Sequence, residues 1–470
     1  MLVLLITIKV CILVCVADLF FLSNFLLLLL SIILLRINLT KFILLLFFFF
    51  LVYCLYVLYY VKISMMFDFF WSNWIVVVAY SFVIITFISL MFTIIVFNSY
   101  IYHYLLFLLV IYFSAYTLLF TNSLLIFLIS YESLLLPAFY ILYKFAKTYR
   151  CVEAAYVMLF WTQFGAIILI CLNIYIMLQY NVYHFNKLFL VTASQFDRNL
   201  LFLFLFISFG VKMPIWPFHL WLPKAHAEAP TNFSIFLSGV LVKLAFIAFI
   251  KFIFYAQFVI SCWYVFVWLV VGIFDVSMRL FYQVDLKKII AFTTVVEMHW
   301  LVLVLLQSNT IAYISSILMI ISHAVMSSLF FLLTDSISRR FHTRYTTELS
   351  SLWLFAPNLT TIILLTNILF LGFPCTSFFW AEVFLFLYLI ELNLFIYGFL
   401  LFLLFLSIPI ILFRFWIQIM YGNLAFKMLY IPHKFYNKKC YDINKTELII
   451  YIFLLLHLVV IGLYPTIILY

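Results

Sequence analysis

GVKMPIWPFHLWLPKAHAEAPTNFSIFLSGVLVKL, residues Gly210 to Leu244, carries a lysine near each end, Lys212 and Lys243, set among aliphatic and aromatic residues that read as bilayer. Between the lysines lie four prolines, Pro214, Pro217, Pro223 and Pro230. Each removes a backbone donor and crowds the preceding turn, so one helix cannot run straight through. Interrupted backbone at membrane depth is tolerated only where protein or a wet cavity surrounds it. A lysine beside such a break therefore predicts an internal hydrated path.

The rest of the chain sets the class in which that path has to work. Its 470 residues are 70% hydrophobic and 9% charged, with a mean hydropathy of +1.32. Soluble globules hold an apolar share of about half, so they are excluded. Apolar runs of about 20 residues recur from end to end with no long polar block between them, which predicts an all-α polytopic membrane protein without a separate soluble domain. No basic, serine-rich leader precedes the first run, so no cleaved targeting segment is expected. The eight cysteines show no CxxC and no Cys/His cluster, and with 8 glycines there is no GxGxxG or phosphate loop. No metal, disulfide or nucleotide role is therefore expected. Heavy use of Phe (61) and Tyr (32) fits an AT-rich organelle gene.

Taken in order, the apolar runs predict about 14 transmembrane helices, near 2–35, 41–61, 74–97, 101–120, 122–143, 151–179, 199–221, 231–256, 260–280, 288–306, 310–334, 353–390, 395–421 and 447–468. The connections from odd to even spans hold seventeen Lys and Arg, among them Lys144, Lys224, Lys287 and Arg344. Those from even to odd hold four, assigned as Lys62, Lys187, Arg198 and Lys251. By the positive-inside rule the odd-to-even connections face the matrix or cytoplasm. The net charge of +10 belongs to that face and needs no nucleic-acid partner.

Lys9, Lys212, Lys243 and Arg414 remain deep in spans, with Glu132, Glu297 and Glu382 to set against them. A lone ionised side chain at a helix centre costs roughly 2.5–3.5 kcal/mol on insertion scales, so such groups face the bundle interior and seek partners. Lys9 reads as a snorkelling end, and Arg414 lies within reach of a helix end. His323, mid-span beside Ser322, suits a water wire, because neutral histidine both donates and accepts. His219 and His226 flank the break as proton relays or caps for exposed carbonyls. His342 and His433 read as loop residues, and Lys224 and Glu228 as interfacial.

The breaks repeat. Gly210, Pro214 and Pro217 interrupt the seventh span, and Leu371-Gly372-Phe373-Pro374 interrupts the twelfth, with Glu382 beyond it. The fifth and tenth spans each carry one acid, Glu132 and Glu297. A five-helix offset predicts two inverted five-helix repeats, 101–256 and 257–421. Helices 1–3 (1–100) would precede them, and a basic loop with helix 14 (422–470) would follow.

These residues carry a resemblance. The opening stretch, with YESLLLPAFYIL at 131–142, DLKKIIAFTTVVEMHW at 285–300, ISHAVMSSLFFLLTDSISRR at 321–340, GFPCTSFFWAE at 372–382 and GLYP at 462–465, closely resembles the chain 4 family of NADH-ubiquinone oxidoreductase, respiratory complex I. It covers about residues 100–470. A glutamate at 382 and LPKAHAEAP at 222–230 favour chain 4 over its neighbours chain 5 and chain 2. The resemblance implies that Glu132 and Lys212 form an acid–lysine pair, with Lys243 the central lysine of the eighth helix. It makes His323 the histidine of the eleventh helix and Glu382 the terminal acid of the broken twelfth, all on one proton-translocating axis. It also implies no cofactor in this chain, with NADH, FMN, iron–sulfur clusters and ubiquinone held by partner subunits. The expected setting is the mitochondrial inner membrane, beside the chain 2 and chain 5 antiporter-like subunits and lipids such as cardiolipin. Two departures stand out: Glu297, with His299 two residues on, occupies the tenth helix where relatives carry histidine, and Ala245 and Phe246 replace the glycine pair after the eighth-helix lysine. A standalone cation/proton antiporter subunit and a membrane spacer with fossil charges are the competing readings.

Overall fold

A computed structural model of the chain describes residues 78, 81, 82, 85, 101–145, 149–190, 195–256, 263–306, 310–389, 416–422 and 442–463. Most of the first three expected spans and of the thirteenth, together with Lys9, Arg414, His433 and the basic loop before residue 442, lie outside the described residues. Among the described residues the protein is built of helices. The β pairing there is confined to two isolated bridges, Ser123 with His184 and Asp285 with Tyr345. Among the described residues, seven helical stretches are long and apolar enough to cross a membrane.

The expected spans from the fourth to the twelfth, and the fourteenth, find helices among the described residues. They are α1 (Ile101–Phe120), α2 (Leu124–Ser133) with α3 (Leu135–Lys144), α4 (Tyr149–Tyr180) and α5 (Gln195–Lys212). After the break come α6 (Trp221–Glu228), α7 (Thr231–Phe236), α8 (Val242–Ala256), α9 (Trp263–Phe281), α10 (Leu286–Leu305) and α11 (Thr310–Phe341). The last are α12 (Leu352–Phe355), α13 (Pro357–Phe370), α14 (Ser377–Leu389) and α15 (Lys445–Leu463). The helices α8, α10 and α11 are buried on nearly every face and form the bundle centre, whereas α4, α9 and α15 expose apolar side chains on their outer faces. Helices apolar all round belong at such a centre.

Local chemistry sets each interruption. Gly210 stays inside α5, contrary to its expected place in the break, and its carbonyl accepts from the Ile215 amide at 2.7 Å. The helix stops after Lys212, where Pro214 cannot donate. The chain then turns through a short 3-10 stretch, Phe218–Leu220, into α6. The fifth span is expected to be continuous but parts at Leu134, between α2 and α3. Pro137 explains this, because it supplies no amide to the Ser133 carbonyl one turn back. Between α7 and α8 the backbone forms a π turn, Leu237–Leu241, closed by the Val242 amide donating to the Leu237 carbonyl. That turn shifts the register just before Lys243. In the twelfth span α13 ends at Leu371; Gly372 and Cys375 both have φ of +72°, and Thr376 Oγ1 caps the restart by accepting from the Phe379 amide at 3.2 Å.

Polar clamps hold one end of the bundle. Lys287, counted above as a connection charge, is buried in the first turn of α10 and donates to the Ala229 carbonyl at 2.9 Å. Arg344 donates to the Ala227 carbonyl and pairs with Asp285, the N-cap of α10, at 3.0 Å. Burial pushes the Asp285 carboxyl up despite the neighbouring Arg344 guanidinium. Two cations thus satisfy carbonyls that α6 leaves open at its C-terminus. Farther along, Glu447 of α15 receives both Arg339 and Arg340, and the Asp442 carboxylate caps α13 at Asn358 and Leu359, each at 3.0 Å.

Candidate functional site: a line of buried ionisable side chains

The first group sits at the two proline-induced interruptions. Lys212, the last residue of α5, donates to the Tyr131 carbonyl at 3.1 Å, and its Nζ lies 3.3 Å from the Tyr131 ring centroid. Glu132 is within electrostatic reach of this lysine, yet no ion pair joins them among the described residues, and its Oε1 is buried without a hydrogen-bond partner. The expected acid–lysine pair is therefore close but open, with the lysine on the tyrosine. Beside it lies a cavity of about 50 Å³, lined by Tyr131, Thr162, Lys212 and Trp221 on one side and by Leu241 and Ala245 of the Lys243 segment on the other. A cavity needs about 10–15 Å³ to admit one water, so this one has the volume for water, but its lining is almost wholly apolar, with Lys212 and Thr162 among the few polar side chains that reach it.

Lys243 follows the π turn at the start of α8. It is fully buried, and its Nζ has no hydrogen-bond partner among the described residues. Glu297 of α10 lies within electrostatic reach of both Lys243 and Glu382. Its Oε2 stands 2.9 Å from Nε2 of His323 on α11, and both side chains are buried. The structure thus brings Glu297 and His323 together. The carboxylate is electrostatically coupled to both the central lysine and the far acid.

His299, two residues along α10, has another task. Its Nε2 accepts from the Trp216 amide at 2.8 Å and its Nδ1 donates to the Val295 carbonyl at 2.8 Å. Both ring nitrogens are thereby used, and the tautomer follows from the partners. Trp216 is held further by Asp275 at 3.0 Å and by Trp268 of α9. A side chain on Gly272 would run into His299 and Trp216, so the close fit of α9 over the break needs glycine there. His299 is a latch on the broken segment, and it does not stand in for Glu297.

His219 and His226 are both buried, and their ring nitrogens have no hydrogen-bond partner among the described residues. His226 stacks on Phe331 at 4.8 Å and lies within reach of Lys243 and Lys287; His219 lies edge-on to Phe292 at 6.3 Å. Neither caps a carbonyl. Lys224 pairs with Glu153 at an exposed position, as an interfacial lysine should, and His342 is exposed.

Glu382 stands on α14 just past the second break, its carboxylate against Gly372, where an added Cβ would collide with it. We expect Gly372→Val to lower thermal stability by about 1–2 kcal/mol through left-handed backbone strain alone. It should also push Glu382 off its place. Thermal unfolding of the purified assembly checks the first effect, and unchanged stability would contradict the strained turn.

Besides Lys287, a second buried cation escaped the sequence reading. Lys251, assigned to a connection, is 3% exposed inside α8. It could have been found, since LAFIAFIKFIFYA offers no polar flank to place a lysine outside the span. The π turn carries no such mark.

Together these features define a polytopic helical membrane protein with discontinuous helices and a row of ionisable groups in its interior. A family profile, NADH:quinone oxidoreductase/Mrp antiporter, transmembrane, matches residues 121–408, and the chain belongs to that family. Among its relatives, NADH-ubiquinone oxidoreductase chain 4 of Paramecium tetraurelia is 32% identical over 267 residues, 56% of this chain and 56% of the relative. The chain thus spans about half the length of the curated relatives it matches. A chain of respiratory complex I from Thermus thermophilus with bound NADH shares the fold at a TM-score of 0.71 and 18% identity, over 84% of this chain and 81% of that one. A chain of the Mrp complex from Dietzia sp. does so at 0.69 and 16%, over 75% and 67%.

Proposed function

We propose that this chain is a proton-translocating membrane subunit of NADH:ubiquinone oxidoreductase, complex I, in the mitochondrial inner membrane and encoded by the organelle. The observation that carries the reading is Lys243, buried without a hydrogen-bond partner among the described residues, on the segment that lines the Lys212 cavity and within electrostatic reach of Glu297. Two inverted repeats, 101–256 and 257–421, would each contribute one broken helix to a single axis. The chain would hold no redox group, leaving NADH, FMN, iron–sulfur clusters and ubiquinone to partner subunits. Neighbours related to chains 2 and 5, and lipids such as cardiolipin, would cover its sides.

In this scheme Glu132, Lys212, Lys243, Glu297, His323 and Glu382 exchange protons in order, with His219 beside the break. An acid and a lysine at about 4 Å attract by roughly 4 kcal/mol at an effective dielectric of about 20. Opening the Glu132–Lys212 pair, as it stands here, removes that attraction and frees the proton to move past the cavity toward Lys243. The Glu297 carboxylate receives it, His323 carries it on, and Glu382 releases it. A neighbouring subunit supplies the signal. Co-purification with an NADH-oxidising assembly, and acidification of sealed vesicles driven by NADH, test the reading.

The family also includes Mrp antiporter chains, so a subunit of a standalone cation/proton antiporter is the second reading. Cation-for-proton exchange that ignores NADH would favour it. Glu297→Gln preserves the shape of the side chain beside His323 but removes the charge. We expect it to slow proton transfer by roughly a hundredfold, the usual scale for a removed proton-transfer group, with assembly intact. Wild-type transfer rates in that variant would remove Glu297 from the axis.

A further inference from the structure

Lys251 is a buried cation that the proton path above does not use. It lies eight residues past Lys243 on α8, about 12 Å along the axis at 1.5 Å per residue. Its Nζ donates to the Leu119 carbonyl at 3.2 Å and to the Thr121 carbonyl, and it stands 4.7 Å from the Phe185 ring centroid. These partners are the C-terminal end of α1 and an aromatic face, and both favour a cation. No carboxylate pairs with it among the described residues. The charge is held in place but is not neutralised.

Its surroundings exclude water. Phe185 packs on Phe252 at 4.9 Å and on Phe127 at 5.2 Å, Phe127 meets Phe252 at 5.3 Å, and all three rings are essentially fully buried. Two connections close over them: the Leu124 amide donates to the Tyr183 carbonyl and the Phe185 amide to the Asn122 carbonyl, each at 2.9 Å. Lys251 is tied to the connections after α1 and α4, whereas Lys287 and Arg344 clamp the turn between α6 and α7. Alternation of spans places those two sets at opposite ends of the bundle.

We infer that Lys251 is an electrostatic seal, a cation held on helix-end carbonyls in an aromatic collar that keeps protons and cations from running back along α8 to Lys243. Fixed charges lining a pore act in this way as barriers to ions of like sign. At about 12 Å and an effective dielectric of about 20, the repulsion between Lys251 and a second proton at Lys243 is worth about a tenfold change in occupancy. This inference rests on the proposed proton axis but is tested separately from it.

The test uses the intact assembly in sealed vesicles, with an imposed pH gradient and no NADH. Lys251→Met and Lys251→Gln are each expected to speed passive proton leak about tenfold, whereas Lys251→Arg should match wild type. Glutamine still donates to carbonyls, so it separates loss of charge from loss of the helix cap if the methionine variant fails to assemble. Wild-type leak in Lys251→Gln, or a leak in Lys251→Arg as fast as that in Lys251→Gln, would overturn the seal. NADH-driven acidification in the same vesicles reports on the axis itself, so a failed axis and a failed seal give different records.

Discussion

Replacing Lys243 by methionine is expected to cut proton transfer through this subunit by at least about a hundredfold while leaving assembly intact. The floor follows from the usual contribution of a positioned proton-transfer group. The retained assembly follows from burial, since Lys243 has no hydrogen-bond partner among the described residues and its surroundings are otherwise closely packed. Methionine fills the same unbranched space with an adaptable apolar chain. It also removes an ammonium whose burial is costly, so thermal stability should hold or rise. The measurement pairs NADH-driven acidification of sealed vesicles with the melting temperature of the purified assembly. Undiminished transfer would place the path elsewhere. Lost transfer with lost assembly would make Lys243 structural.

The second large effect is expected at the interrupted fifth and seventh spans. Glu132→Gln and Lys212→Met should each reduce proton transfer about tenfold to a hundredfold, the size of interaction energies between coupled neighbours. The double variant should be little worse than the poorer single one, because each change alone already disables the pair. Lys212 rests on Tyr131 with Glu132 nearby and unpaired. Tyr131 and Glu132 are adjacent in sequence, just before the Leu134 interruption, so the orientation of this short helix bears on which of them the lysine meets. Additive losses in the double variant would mean that the two side chains act independently, and normal transfer in both single variants would reject the scheme.

The class of protein and the places where helices fail are local properties, and they are legible in the chain. Hydropathy over about 20 residues decides whether a segment belongs in a bilayer, and proline or a positive-φ glycine acts within one turn of itself. Even so, the Pro137 interruption follows from the same rule, although the run 122–143 reads as a single span. Lys251 was lost to a simpler cause. Counting loop charges assumes that a lysine near a span end reaches water, and Lys251 turns instead to the carbonyls of another helix.

From the sequence alone come the polytopic helical class, the breaks after Lys212 and around Gly372, and the ionisable residues held at membrane depth. Each of those depends only on residue type and near neighbours. Tertiary structure decided that Lys212 sits on Tyr131, that Glu297 and not His299 meets His323, and that His299 grips the Trp216 backbone 83 residues away. Those outcomes turn on the rotation of each helix about its axis. A π turn before Lys243 or a glycine under His299 changes that rotation or approach, and packing between distant segments selects it.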